Sequence, residues 1–143
     1  MADESARVLR DHADPLPTVD PFRDQVALGP IIDAGQRDRI HSLVTGSVAA
    51  GAKLPAGGTY EGLFYRPTVL TDVPTSAPVY AEEVFGPVAP VVAFSSVDEL
   101  VKLAADTEYG LSLGIVTRDG MKGLASAERM PSGLGHINER TVQ

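Results

Sequence analysis

Two adjacent carboxylates and an aromatic ring stand close together in the run Ala81–Val88, whose sequence is Ala-Glu-Glu-Val-Phe-Gly-Pro-Val. Carboxylates accept hydrogen bonds from hydroxyl groups, and an aromatic face packs against another planar ring. Gly86 permits backbone torsions that other residues avoid, and Pro87 removes a backbone donor, so the chain must turn before it can pair again. The run therefore predicts a ligand-binding loop directly before an apolar strand.

The two acidic residues of this loop are not expected to act as a coupled acid/base pair. Glu82 and Glu83 are adjacent, and on an extended segment their side chains point to opposite sides. One of them is then simply solvated. For Phe85 the residues alone leave two interpretations open, because an aromatic ring beside Gly-Pro can contact a ligand or fill the core under the turn.

The sequence gives little support for a metal site, a serine nucleophile or a phosphate-binding loop. The sequence has no cysteine, which excludes thiolate zinc sites and disulfides. Ser95, Ser96 and Ser112 have no neighbouring histidine and no Gly-x-Ser-x-Gly elbow, so we expect no serine nucleophile. Gly133–Gly135 follows a helix and precedes a strand, the wrong order for a phosphate-binding loop. We expect no metal site, because the histidines lack the spacing of metal ligands; they are His12, His41 and His136.

Length and charge narrow the class of protein further. A chain of 143 residues with 43% hydrophobic and 22% charged residues can form one folded domain. The net charge of −7 disfavours nucleic acid and anionic lipid as partners. No apolar run approaches the ~18 residues that a membrane span requires, and the start of the chain does not resemble a secretory signal. We therefore expect a cytoplasmic protein with no membrane association.

The first half of the chain predicts one helix and one interrupted strand. Residues 1–16 mix charges and prolines without a period, and we predict a loose N-terminal leader followed by a domain over residues 17–143. Asp33 and Gln36 have capping-box spacing, and Ile40, Leu43, Val44 and Val48 recur at helical intervals until Gly51. Pro67 should make the segment Phe64–Leu70 an edge or bulged strand.

The second half alternates strands with helices. Ser96 and Asp119 are placed to begin two helices, which end near Gly110 and at Pro131. The strands predicted around them are Val88–Phe94, Ser112–Thr117 and Leu134–Asn138. This order implies parallel pairing with right-handed crossovers. The predicted fold class is α/β, a three-layer αβα arrangement with a mostly parallel sheet.

Several blocks of the sequence, taken in order, resemble the aldehyde dehydrogenase superfamily. The run Glu82–Val88 resembles the family's Glu-Glu-[Ile/Val]-Phe-Gly-Pro-Val motif. The other matching blocks are Asp20–Phe22, Gly29–Asp33, Gly57–Gly58, Tyr65–Leu70, Asp106–Ser112 and His136–Asn138. The resemblance is strongest to members that act on aromatic aldehydes. It implies the C-terminal part of the family's catalytic domain, shortened at both ends.

The resemblance also implies a cofactor and two site residues. In the family the second Glu of the motif hydrogen-bonds the nicotinamide ribose, and the Phe packs near the nicotinamide ring. These roles fall on Glu83 and Phe85, with NAD or NADP as the cofactor. The family's nucleophilic cysteine, general-base Glu and dinucleotide-binding domain all precede the matched region. We therefore expect no catalytic residue and no activity in this chain alone, and weak cofactor binding at most.

Two function classes stay open. The chain is either a portion of an NAD(P)-dependent aldehyde dehydrogenase or a non-catalytic binding or assembly protein that keeps its fold. A parallel sheet needs neighbours on both edges, and the resemblance implies that the missing segment would supply them. We therefore expect self-association, or pairing with a complete relative.

Overall fold

The computed structural model describes residues 2–141, which form two compact units that divide between Ala93 and Phe94. The elements of the first unit are α1 (Ala2–Ala13), α2 (Ala34–Ala49), β1 (Lys53–Ala56), β2 (Tyr60–Glu61), β3 (Phe64–Tyr65), β4 (Thr68–Thr71), α3 (Pro78–Ala81) and β5 (Val88–Pro90). Those of the second unit are α4 (Val97–Ala105), β6 (Ser112–Ile115), α5 (Gly120–Ala127) and β7 (Leu134–Ile137).

The N-terminal segment differs from the loose leader that was expected there. Residues 2–13 form the helix α1, with acidic residues in its first turn and basic residues in its last turn, where each sign suits the helix dipole. Its last residue, Ala13, is buried against Ala56 and Val69. Packing against β1 and β4 stabilises this short helix, and the local sequence gives no direct sign of such a tertiary contact.

Helix α2 begins as predicted and forms one wall of the core. The Oδ1 atom of Asp33 accepts a hydrogen bond of 2.8 Å from the backbone N–H of Gln36. Ile40, Leu43 and Val44 are buried on its apolar face, whereas Val48, which was expected there, is partly exposed. The core around this face also includes Tyr65, Leu70, Val73, Ala77, Val79 and Val84.

The strands of the first unit form two small sheets. β4 lies between β1, which is antiparallel to it, and β5, which is parallel, with Thr68 opposite Val88 and Leu70 opposite Pro90. β2 and β3 form a separate antiparallel pair. The predicted strand Phe64–Leu70 is interrupted at Pro67, as its proline requires, and supplies both β3 and most of β4.

The second unit consists of the helix α4 followed along the chain by a strand-helix-strand arrangement. The Oγ atom of Ser96 accepts a 3.1 Å hydrogen bond from Glu99 N–H, and the Oδ1 atom of Asp119 accepts one of 3.1 Å from Lys122 N–H. These two caps begin α4 and α5 where the sequence predicted. β6 and β7 are parallel, and α5 connects them.

The predicted α/β class is confirmed, and parallel pairing holds for β4–β5 and β6–β7. Over residues 2–141 the strands form three small sheets that include antiparallel pairs, rather than one mostly parallel sheet. No helix within these residues is both long enough and apolar enough to cross a membrane.

Candidate functional site

The loop Glu82–Val88 follows directly on α3, whose position is fixed by α2. The hydroxyl of Ser47, fully buried, accepts a 3.1 Å hydrogen bond from Val79 N–H and donates one of 2.7 Å to the Leu43 carbonyl. Gly46 lets the two helices approach closely, because a Cβ there would lie 3.3 Å from Pro78 Cγ. This close contact accounts for a glycine inside α2, where glycine costs about 1 kcal/mol against alanine.

The side-chain amide of Gln36 fixes the middle of the loop. Its Nε2 atom donates to the carbonyls of Val84 and Phe85, both at 3.1 Å. Phe85 has a φ of 51°, the left-handed region that non-glycine residues rarely occupy. The two hydrogen bonds therefore hold the carbonyl groups on either side of the Phe85 Cα atom, where the backbone is unfavourable.

Arg39 fixes the start of the loop from the same helix. Its Nη1 atom donates to the Glu83 carbonyl at 2.7 Å, and its Nη2 atom lies 3.2 Å from Glu82 Oε2. The ion pair is exposed, so its own contribution to stability is small. Its effect on the site is geometric, because one guanidinium group holds both the backbone of Glu83 and the side chain of Glu82.

The end of the loop passes into the sheet. The Pro87 carbonyl accepts a 2.8 Å hydrogen bond from Thr68 N–H, and Val88 N–H donates to the Gly86 carbonyl at 2.8 Å, closing a three-residue turn around Pro87. Gly86 was predicted to supply unusual backbone torsions, but the left-handed residue is Phe85. Gly86 is required for space instead, since a Cβ there would lie 2.5 Å from Ile40 Cδ1.

This anchoring leaves the two predicted cofactor residues facing solvent. Phe85 is 76% exposed, so the interpretation in which its ring fills the core is wrong, and the adjacent Val84 is buried there instead. Glu83 is exposed, and its carboxylate makes no hydrogen bond or ion pair within the described part of the chain. The loop thus presents one free acceptor and one free aromatic face on a restrained backbone.

Two residues that position this loop were missed at the level of sequence. The sequence pattern indicates Gln36 only as part of a helix cap, and it gives Arg39 no separate role. A signal existed, because residues three and four apart share one face of a helix. Gln36, Arg39 and the buried Ile40 form such a stripe, and all three contact the loop.

Outside the loop, two histidines of the described residues lie near other titratable side chains. His41 lies 3.2 Å from the hydroxyl of Tyr65, and burial raises the pKa of that phenol to about 12. His136 lies 4.0 Å from Glu139. Among residues 2–141 no group of three or more metal-ligating side chains could hold a metal ion.

Comparison with known proteins identifies the family of this chain. The family model described as "Aldehyde dehydrogenase family" matches residues 1–143. Vanillin dehydrogenase of an Amycolatopsis strain is 63% identical over 142 residues, and NAD(+) benzaldehyde dehydrogenase of Pseudomonas putida is 42% identical over 142. In each case the match covers 99% of this chain and 29% of the relative.

A solved structure has the same fold. Aldehyde dehydrogenase C of Pseudomonas syringae, crystallised with NAD+ and octanal, superimposes with a TM-score of 0.92 at 30% identity, over 99% of this chain and 30% of that one. The present chain therefore spans less than a third of the length of these relatives. Because the family model matches the whole length of this chain, the chain belongs to the aldehyde dehydrogenase family.

Proposed function

We propose that this chain supplies the nicotinamide side of the cofactor site in an NAD(P)-dependent dehydrogenase of aromatic aldehydes. The observation that carries the proposal is the exposure of Glu83 and Phe85 on a loop whose backbone is fixed by Gln36 and Arg39. A free carboxylate can accept hydrogen bonds from ribose hydroxyls, and a free aromatic face can pack beside a nicotinamide ring. The aromatic substrate class comes from the relatives named for vanillin and benzaldehyde.

The chain by itself does not oxidise aldehydes under this proposal. In the family a cysteine thiolate attacks the aldehyde carbonyl, and the adduct passes hydride to the nicotinamide. The 143 residues contain no cysteine, so the nucleophile must come from elsewhere. Purified chain incubated with NAD+ and benzaldehyde should form no reduced nicotinamide, and any turnover would contradict the proposal.

Cofactor binding by the isolated chain should be very weak. Two contacts cannot offset the entropy lost on association unless further groups hold the adenosine and pyrophosphate. The loop does not discriminate NAD from NADP, since both carry the same nicotinamide riboside. Titration calorimetry that found submillimolar binding of either cofactor to the chain would overturn this part of the proposal.

The roles of Glu83 and Phe85 can be tested in a chimera. This chain replaces the matching segment of the Amycolatopsis vanillin dehydrogenase, to which it is 63% identical. Glu83→Gln should raise the KM for NAD+ about tenfold, the change expected when a hydrogen bond to a charged group is lost. Phe85→Ala should lower kcat/KM by a similar factor. Glu61→Gln and Phe22→Ala, at exposed positions outside the loop, are the matched controls. Equal kinetics for loop and control variants would contradict the proposal.

A second candidate is a non-catalytic binding or assembly protein, and the second unit gives a specific reason to consider it. Leu111 and Val116 are 80% and 91% exposed, and within the described residues β6 and β7 pair only with each other. Parallel strands usually have neighbours on both edges, which favours self-association or pairing with a complete relative. Light scattering of the chain, alone and mixed with such a relative, tests this, and a monomer under both conditions would argue against it.

The proposed location is the cytoplasm. A cysteine-free chain is suited to a reducing compartment, although it does not require one. Fractionation of the producing cells, with detection of the chain in the cytoplasmic fraction, is the direct test.

A further inference from the structure

We infer that Arg39 and Gln36 are positioning residues: Arg39 determines which of two adjacent glutamates is free for the cofactor, and Gln36 sets the backbone of Phe85. The inference deepens the proposed function and rests on it. Both residues act through the loop and need not touch the cofactor themselves.

Arg39 contacts Glu82 and Glu83 in different ways, through the side chain of one and the backbone of the other. Glu82 has an extended backbone, with φ −111° and ψ 144°, so the side chains of Glu82 and Glu83 diverge. Arg39 holds the Glu82 carboxylate at 3.2 Å and the Glu83 carbonyl at 2.7 Å. A single guanidinium group presents two donors in a fixed fork, which sets the spacing between these two contacts. Glu82 is thereby held toward α2, and the Glu83 carboxylate stays free.

Gln36 acts on the aromatic residue Phe85 through the backbone. With φ at 51°, Phe85 departs from the backbone region that its neighbours occupy, and this departure sets the direction of its ring. The carbonyls of Val84 and Phe85 converge on the Nε2 atom of Gln36, at 3.1 Å each. One side-chain amide has two N–H groups, so it can satisfy both carbonyls. Without it, the loop would lose the contacts that hold the left-handed residue.

The helix face that carries Gln36 and Arg39 is itself held in place. Gln36 lies in the first turn of α2, and its own N–H donates to the cap residue Asp33. Ile40, one turn further along, is fully buried against Gly86. A side chain that acts on a loop is effective only when its own element is fixed, and this helix face is held by both its cap and the core.

Nuclear magnetic resonance on this chain, without any cofactor, tests the structural half of the inference. The strong amide–Hα cross-peak that marks a positive φ at Phe85 should be present in the native chain and lost in Gln36→Met. Gln25→Met, at an exposed position outside α2, is the matched control and should retain it. A positive φ that persists in Gln36→Met would overturn the role of Gln36.

Double-mutant cycles in the vanillin dehydrogenase chimera test the functional half. Arg39→Met should raise the KM for NAD+ about tenfold, consistent with loss of a charged hydrogen bond, while Arg39→Met combined with Glu83→Gln should be no worse than Glu83→Gln alone. Gln36→Met should likewise add no further loss of kcat/KM to Phe85→Ala. Non-additivity of this kind is expected when one residue acts through another.

The outcomes distinguish failure of the proposed function from failure of the positioning inference. If Glu83→Gln and Phe85→Ala match their controls, the proposed function fails. If those variants lose activity but the Arg39 and Gln36 effects simply add to theirs, the proposed function stands and the positioning inference is wrong. A uniform loss of thermal stability without a change in KM would also overturn the inference, because a merely structural role predicts that pattern.

Discussion

Gly86 lies so close to Ile40 that a single methyl group on the glycine would reach 2.5 Å from the Cδ1 atom of the isoleucine. Ile40 is fully buried in the core of the first unit. The contact joins the loop that carries Glu83 and Phe85 to the helix face that carries Gln36 and Arg39.

Gly86→Ala should therefore destabilise the protein. The added methyl group forces Ile40 to move within a packed core, and overpacking of this kind typically costs about 1–3 kcal/mol. Chemical denaturation followed by circular dichroism measures the change in the free energy of unfolding. Gly29→Ala is the control, because its Cβ would make only an ordinary contact of 3.7 Å with Pro21. Equal stability of the two variants would show that this close contact does not restrict the loop.

Ser47→Ala should also lower stability, through a different mechanism. The buried hydroxyl accepts a hydrogen bond from Val79 N–H, and its removal leaves that donor without an acceptor, at a cost of about 1–3 kcal/mol. Thr45→Ala in the same helix is the control, since its exposed hydroxyl bonds only to carbonyls within α2. The stabilities of the Ser47→Ala and Thr45→Ala variants are compared from their denaturant midpoints, with a common m-value. A Thr45→Ala loss as large as that of Ser47→Ala would contradict the assignment.

The phenol of Tyr65 should make the protein less stable in alkali. Burial raises its pKa from 10.0 to about 12 in the folded state. Between these values the unfolded chain loses its phenolic proton while the folded chain keeps it, so stability falls as the pH rises. The loss begins near the unfolded pKa and reaches roughly 2–3 kcal/mol once the folded pKa is passed.

Absorbance titration of tyrosinate in the native chain and in Tyr65→Phe measures this directly. The difference between the two curves should be a single ionisation near pH 12. The variant should also show a weaker decline in stability above pH 10.0, the ordinary pKa of a tyrosine phenol. A difference curve centred at that ordinary value would mean that burial does not perturb the group.

Ala13→Asp should show whether helix α1 contributes to the stability of the first unit. Ala13 is buried against Ala56 and Val69, and a carboxylate placed there would lose its hydration without gaining a partner. We expect a loss of more than about 2 kcal/mol of unfolding free energy. Ser5→Asp, exposed on the same helix, should be neutral. If both variants unfold at the same denaturant concentration as the native chain, α1 does not contribute to the folded unit.

The sequence alone determined the features that depend on neighbouring residues. The caps at Asp33, Ser96 and Asp119 were predictable because each hydrogen bond joins residues three apart. Pro67 interrupts its strand because proline has no backbone donor, whatever surrounds it. The absence of cysteine excludes a thiol nucleophile within these residues in any fold.

Tertiary structure alone decided how the loop is held and which of its residues are exposed. Gln36 lies 48 and 49 residues from the carbonyls that it binds, and Arg39 lies 44 residues from the Glu83 carbonyl. The helical spacing of these residues predicts that they share one face, but it does not specify what that face contacts. The sequence likewise could not place the left-handed conformation at Phe85 rather than Gly86, or bury Val84 while leaving Phe85 in solvent. These features result from the close packing of α2 against the loop, which exists only once the chain has folded.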